Sequence, residues 1–366
     1  MTHLRLAASN EVADAVRSVL EGESGAFAPV PEGPTEASRW IEVLRPDAPV
    51  EEPDAAVVLP TSGSTGNPRA VVLSRSALVA AATAGHARLG GPGVWVCALA
   101  PHHVAGLMVH VRAHLSGIPA IVVDQHLTGL TELTLPDTPA YLSLVPTQLY
   151  RALRQNDLRT ELRRYTILLG GAAADRAELE RARESGIRVV TTYGMTETCG
   201  GVVYDGVPLD GVHVGLDDDG RISLTGPTTF SGYRLEPEAT ADVLDGRTFL
   251  TSDRGAWVGE RLEVRGRIDD VVISGGVNVD LAQLQRAADR ALGVERVVVL
   301  GVPDPEWGAK IVAVTTSDIT LDALRDRLDG RVEREALPRD LRRLDAFPRT
   351  SSGKIDRRTL VSEWEV

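Results

Sequence analysis

From residue 55 to about residue 205, short apolar runs alternate with stretches of helical spacing, and few architectures accept that rhythm. The runs 55–59, 120–123, 166–169 and 187–190 read as strands, and 76–89, 147–155 and 174–184 read as helices. Strand and helix in alternation predict a layered α/β domain. Ahead of it, Val12, Val16, Val19 and Leu20 mark a short amphipathic helix, followed by a Gly-, Pro- and Glu-rich stretch over 22–55. Past residue 205 the pattern breaks into short β-like pieces between glycines, RISLTG and TFSGYRL among them, which predicts a smaller β-rich subdomain. From Asp280, the residues Leu281, Leu284, Ala288, Ala291 and Leu292 recur at helical spacing. Strand-like 296–302 and 310–315 and a further helix through Leu321, Leu324, Leu328 and Val332 complete an α+β tail of domain size. The expected division is a large domain over 1–267 and a small one over 268–366.

Composition narrows the function classes. The net charge of −12 argues against a protein that holds nucleic acid through a basic surface. Of the 39 basic residues only Lys310 and Lys354 are lysines, so ammonium chemistry has two candidate carriers. Cys97 and Cys199 lack CxxC spacing and sit in apolar and glycine-rich surroundings, which argues against a disulfide framework or a zinc site and fits a reducing compartment. The start of the chain has no signal-peptide core, and the longest apolar tract, 94–111, is interrupted by His102, His103 and His110. The expectation is a cytoplasmic protein without membrane insertion.

The segment TSGSTGNPR (61–69) lies between a strand and a helix-like stretch, an order that can present backbone N–H groups and hydroxyls to phosphate oxygens. It lacks the Gly-Lys-Ser/Thr of a P-loop NTPase, and by composition alone a surface linker remains an equal alternative. His110 and His114 stand at i, i+4 spacing, but no HExxH pattern or acidic ligand accompanies them, so no metal site is expected there. Lys310 lies in the apolar run AKIVAV and reads as an edge-strand or surface lysine.

The loop at 61–69 resembles the phosphate loop of the adenylate-forming family of acyl-CoA synthetases, peptide-synthetase adenylation domains and luciferases, and five more segments follow in that family's order. PHHVAG (101–106) resembles PxxHxxG, TYGMTE (192–197) YGxTE, and TSDRG (251–255) TGDxG. GRIDDVVISGGVNV (266–279) resembles GRxDDxIxxGGxNI, and PRTSSGKIDR (348–357) the closing PRTxxGKIxR. Such a family joins a carboxylate to AMP with loss of pyrophosphate, then passes the acyl group to a thiol, with ATP, Mg2+ and CoA as its reactants and cofactor. Two anions must meet, so positioning and electrostatic stabilisation should dominate.

The resemblance implies a role for each matching residue. Lys354 would bridge the substrate carboxylate and the α-phosphate, and Glu197 would hold Mg2+. Thr61, Ser62, Gly63, Ser64, Thr65, Gly66 and Arg69 would bind ATP phosphates. Tyr193, with Gly194 beside it, would stack on adenine, and Thr196 would contact the α-phosphate. Asp253, assisted by Arg267, would hold the ribose. Gly170 and Gly171 would form the turn where the acyl pocket meets adenine, with His103 lining that pocket. Asp269 would be the hinge of a mobile small domain, and Ser274, Gly275 and Gly276 would line the pantetheine tunnel.

Two departures qualify the match. Arg69 and Ala70 stand where the usual motif has lysine and glycine, which keeps the charge and alters the bonding geometry. Sixty residues precede Thr61, where most of the family carries a much longer stretch, so a reduced first subdomain is expected. That shortness, with the opening AFAPVP, resembles the short actinobacterial type of o-succinylbenzoate-CoA ligase of menaquinone biosynthesis. An acid with a second carboxylate would want a cation in its pocket, for which Arg112 and Arg151 are candidates and surface positions the alternative. Other readings are a ligase for another aryl or acyl acid with a CoA or carrier-protein acceptor, and a noncatalytic nucleotide- or acyl-binding relative. The expected partners are small molecules, and a homodimer is compatible with the resemblance.

Overall fold

The computed structural model describes residues 2–61, 68–293, 295–349 and 355–364. They divide into two compact units. The first comprises 1–215, 223–251 and 257–262, and the second 216–222, 252–256 and 263–366.

Two large sheets form most of the first unit, beside a two-stranded pairing of Thr2–His3 with Pro49–Val50. In the larger, Ile121–Val122, Val94–Cys97, Ala140–Leu144, Thr166–Leu169 and Arg188–Met195 lie parallel, and Gly200–Tyr204 and Val207–Pro208 continue it antiparallel. Alternation of strand and helix therefore produces the layered sheet expected of it. The apolar tract at 94–111 resolves into the strand Val94–Cys97, a turn through Pro101, and the helix Val104–Leu115. The second sheet runs in the order Gly232–Tyr233, Ala70–Ser74, Ala55–Pro60, Phe27–Pro29, Arg5–Ala7. Between it and its helices lies a core of Val57, Leu59, Val71 and Leu73 with Val12, Val16 and Val19 of the helix Val12–Leu20, Leu78, Leu107 and Met108. The opening helix is amphipathic as read, with those three valines at 0–1% exposure.

Two local readings are corrected. The phosphate loop does not lead directly into a helix: residues 70–74 form a strand antiparallel to Ala55–Pro60, with Pro60 opposite Ala70, so the loop tops a β-hairpin. The helix Arg75–Leu89 begins about 16 Å further along the chain at an extended rise per residue, capped by the Ser74 hydroxyl accepting from the Ala77 N–H. TFSGYRL (229–235) belongs to this first unit, where Gly232–Tyr233 pairs with Val72 and Val71.

In the second unit the order is Val277–Asp280, Val271–Ser274, Gly308–Thr315, Val297–Asp304, with Asp340–Arg343 parallel to Gly308–Thr315. Val297 and Val299 face the helices Leu281–Leu292 and Leu321–Leu328. Val298, Leu300 and Val302 face Phe347 and Leu360. Both faces are covered, which is why the run VVVL is continuously apolar. Gly308–Thr315 is an interior strand, so Lys310 is not an edge lysine; its Nζ lies 3.3 Å from the Asp340 carboxylate. Among the described residues no helix is long and apolar enough to cross a membrane.

Candidate active site

The carboxyl ends of parallel strands are where α/β sheets collect ligands, and several motif residues of the first unit follow such ends, whereas the phosphate loop joins two antiparallel strands of the other sheet. After Val94–Cys97 comes the turn bearing His102 and His103. After Ala140–Leu144 comes Gln148, after Thr166–Leu169 come Gly170 and Gly171, and Arg188–Met195 itself carries Tyr193 and Gly194. Gln148, 7% exposed, ties three of these ends together. Its amide N–H donates to the carbonyls of Ala98 and Gln125, at 3.0 and 3.1 Å, and its oxygen accepts from the Val145 N–H at 3.0 Å.

Gly170 and Gly194 are required by close approach. A Cβ on Gly170 would stand 2.4 Å from Thr192 Oγ1, and one on Gly194 would stand 2.0 Å from the Gly200 carbonyl oxygen. The register of Arg188–Met195 against Gly200–Tyr204 shifts between Tyr193 and Gly194, a bulge that re-aims the chain into the turn Thr196–Thr198. There Thr198 Oγ1 accepts from the Met195 N–H at 3.0 Å, and Cys199 takes a left-handed conformation, φ 55°. Glu197 is thereby presented from a tight turn.

Glu197 does not stand alone. Its carbonyl accepts from the Phe230 N–H at 2.8 Å, and its Oε1 accepts from the Tyr233 hydroxyl at 3.0 Å. The Arg69 guanidinium lies over the Tyr233 ring, 4.9 Å from its centroid, and Arg69 Nε is 3.3 Å from Glu236 Oε2. Arg69 also closes the neck of the phosphate loop: its carbonyl accepts from the Thr61 N–H at 2.7 Å and from Thr61 Oγ1 at 3.3 Å. Ser62, Gly63, Ser64, Thr65 and Gly66, between them, lie outside the described residues. Burial, and next the Glu197 charge, push the Tyr233 phenol above its ordinary range, so its hydroxyl stays a donor.

His103 precedes the helix Val104–Leu115. Its ring packs 5.6 Å from Trp40 and 4.6 Å from His102. His102 is 9% exposed, and neither of its ring nitrogens has a hydrogen-bond partner among the described residues. Burial holds its pKa below the usual imidazole value, against the opposing pull of Glu36 and Glu32. Of the two arginines considered for the pocket, Arg151 is exposed. Arg112 is 4% exposed and packed in the core, 5.0 Å from the Trp95 ring centroid and 3.4 Å from the Tyr204 hydroxyl.

In the second unit, Arg267 Nη1 lies 3.5 Å from Asp253 Oδ1, so the two residues assigned to the ribose are brought together. Asp269 falls in the short turn Ile268–Asp270. Ser274, Gly275 and Gly276 form the tight turn of an antiparallel hairpin in which Ser274 pairs with Val277. The Ser274 side chain is fully buried, and a Cβ on Gly275 would meet the Trp307 ring at 2.8 Å.

Lys354 lies outside the described residues, but the described chain before and after it, at Arg349 and from Ile355, is clamped. The Arg349 guanidinium donates to both oxygens of Glu295, at 2.8 and 3.2 Å, and Arg349 bridges to Ile355. The Arg357 guanidinium donates to Gln285 Oε1 at 2.8 Å and to the Val299 carbonyl at 3.2 Å.

Two units, the first with motif residues after the carboxyl ends of parallel strands, define an α/β class of protein, and comparison with known proteins gives the family. Residues 3–248 match the model of the AMP-binding enzyme family and 287–354 that of the AMP-binding enzyme C-terminal domain. The chain belongs to the AMP-binding enzyme family. A protein named probable 2-succinylbenzoate-CoA ligase, from Mycobacterium tuberculosis, is 37% identical over 368 residues, covering 95% of this chain and 93% of that one. A 2-succinylbenzoate-CoA ligase from Listeria monocytogenes is 32% identical, covering 84% and 69%. Among solved structures, the o-succinylbenzoate coenzyme A synthetase MenE from Bacillus subtilis in complex with AMP superposes with a TM-score of 0.78 at 22% identity, covering 98% of this chain and 88% of that one. ATP-bound MatB from Rhodopseudomonas palustris superposes with a TM-score of 0.82 at 21% identity, covering 100% and 89%.

Proposed function

We propose that this chain is an AMP-forming acid-thiol ligase that converts 2-succinylbenzoate, ATP and CoA to 2-succinylbenzoyl-CoA, AMP and pyrophosphate. The observation that carries the reading is the Glu197 carboxylate fixed beside the closed neck of the Thr61–Arg69 loop, at the carboxyl edge of a parallel sheet. The near full-length likeness to the mycobacterial ligase supports the choice of acid.

In the first step a carboxylate oxygen attacks the α-phosphorus and the bond to pyrophosphate breaks. In the second the CoA sulfur attacks the acyl carbon and AMP leaves. Glu197 is a hard oxygen donor, and no cluster of three metal-ligating side chains occurs among the described residues. That donor set fits Mg2+ arriving with nucleotide phosphates, not a resident protein-caged ion. Bound there, Mg2+ would neutralise phosphate charge as pyrophosphate departs. Thr61, Arg69 and the loop between them hold phosphates, Thr196 contacts the α-phosphate, and Tyr193, with Gly194, receives adenine. Asp253 and Arg267 take the ribose. Gly170, Gly171 and His103 shape the acid pocket, and Lys354 brings its ammonium to the attacking carboxylate. The domain over 268–366 turns about Asp269, and Ser274, Gly275 and Gly276 pass the pantetheine arm.

The test is acid-dependent pyrophosphate release from Mg-ATP, with 2-succinylbenzoate set beside benzoate, salicylate and fatty acids, with and without CoA. Turnover selective for 2-succinylbenzoate and CoA is expected. Selective turnover of another acid overturns the substrate, and no release from folded protein with any acid overturns the ligase reading.

A further inference from the structure

We infer that Tyr233 is a positioning residue for the metal-binding carboxylate, the middle of a chain Glu236–Arg69–Tyr233–Glu197 that ties Glu197 to the neck of the phosphate loop. The inference rests on the proposed role of Glu197. No sequence motif pointed to Tyr233; its position follows from pairing between distant segments. Gly232–Tyr233 adds to the edge of the hairpin that carries the phosphate loop, with Tyr233 opposite Val71. Two residues past the loop's last described position, the same strand therefore carries Val71 and fixes the height of the phenol.

Tyr233 is held at its backbone and at its ring. The Tyr233 N–H donates to Thr240 Oγ1 at 2.8 Å, and the ring packs edge-on to Phe230 with centroids 5.0 Å apart. The next residue, Arg234, is 3% exposed and donates to the carbonyls of Leu44, Arg45, Ala48 and Pro49. A strand anchored that firmly can aim a hydroxyl. Donation to Oε1 at 3.0 Å orients the Glu197 carboxylate.

Arg69 completes the chain and explains the departure from the usual lysine. A guanidinium can sit over a phenol ring and still pair with Glu236, which an ammonium does less well. The Arg69–Glu236 pair is well exposed and contributes little by itself. Its value is geometric: the residue whose carbonyl closes the loop also rests on the ring whose hydroxyl orients the metal ligand.

The variant Tyr233→Phe keeps the ring, the Phe230 contact and the Arg69 stack and deletes only the hydroxyl. ATP binding is measured by calorimetry with and without Mg2+, and pyrophosphate release is titrated with Mg2+. Partners that orient a metal ligand are typically worth about 10–100-fold in metal affinity or activity, so the Mg2+ requirement should rise by about 10-fold or more. ATP affinity without Mg2+, and kcat at saturating Mg2+, should stay within about twofold to threefold. In a Glu197→Gln background the same substitution should add almost nothing, because the oriented group is gone.

An unchanged Mg2+ requirement overturns the inference. So does an equal loss of Mg2+-free ATP binding, or a full additive penalty in the Glu197→Gln background, either of which marks a merely structural residue. The calorimetric contrast needs no acid or CoA, so it is scored even if no acid is activated and the ligase reading falls. Absence of any ATP binding by the unaltered chain overturns both.

Discussion

Arg234→Met should destabilise the first unit by about 3 kcal/mol, the cost of removing a buried donor from neutral acceptors. The Arg234 guanidinium makes four hydrogen bonds, at 2.8, 3.1, 3.0 and 2.6 Å, to carbonyls in the turn that follows the helix Pro34–Leu44. Hydrogen bonds from a charged donor are worth roughly 1.5–3 kcal/mol each, so their sum is an upper bound of about 6–12 kcal/mol. Two effects reduce it. Desolvation of the cation costs several kcal/mol, and the fall in the Arg234 pKa, caused first by burial, shows that this cost is present. The turn also has exposed residues, Arg45 and Asp47, so water can recover part of the carbonyl bonding in the variant. A loss of about 3 kcal/mol in a unit of this size lowers Tm by roughly 6–12 °C. Urea and thermal melts of the whole chain should show it, with Arg234→Lys intermediate because an ammonium has fewer donors. A Tm for Arg234→Met within about 1 °C of the unaltered protein would refute the reasoning.

Three further outcomes follow from the same structure. Lys354→Ala should abolish acyl-adenylate formation while largely sparing thioester formation from supplied acyl-AMP; equal loss in separately assayed half-reactions would contradict its role. His86 is held neutral, its pKa lowered to about 4 by burial and then by the Arg112 charge, while its Nε2 accepts from Trp95 Nε1 at 3.2 Å. The unfolded chain takes up this proton first, so the stability His86 allows is complete above about pH 6.5 and falls toward pH 4, and His86→Gln should flatten that part of a pH series of urea melts. Burial pushes the Cys97 thiol up to about 11 and the Cys199 thiol higher still, so both should react with a thiol reagent at pH 8 only as fast as the protein opens. Fast stoichiometric labelling of the native protein would contradict that.

The α/β alternation and the α+β tail were legible because period and run length report burial directly. The strand at 70–74 was not: AVVLS follows a loop and precedes a long alanine-rich helix, so its five residues were absorbed into the helix's approach. At 94–111 strand and helix are both buried, so apolarity is continuous across their boundary and only Pro101 marks it. The motif residues could be assigned by resemblance one at a time. Their second layer, Tyr233, Gln148 and Trp40, could not, since each acts across the fold: Tyr233 on Glu197, Gln148 on Ala98 and Gln125, Trp40 on His103. Arg112 was misread as a pocket candidate for a related reason. Its place is set across the fold, by the Trp95 ring and the Tyr204 hydroxyl, and no periodicity encodes that packing.

The most direct measurement is mass spectrometry of the nucleotide products after the protein is mixed with Mg-ATP and 2-succinylbenzoate, first without CoA and then with it. Ligase chemistry requires 2-succinylbenzoyl-AMP and pyrophosphate before CoA is added, and 2-succinylbenzoyl-CoA with AMP afterwards. ADP and phosphate as products, or a thioester formed with no adenylate before it, would contradict the assignment.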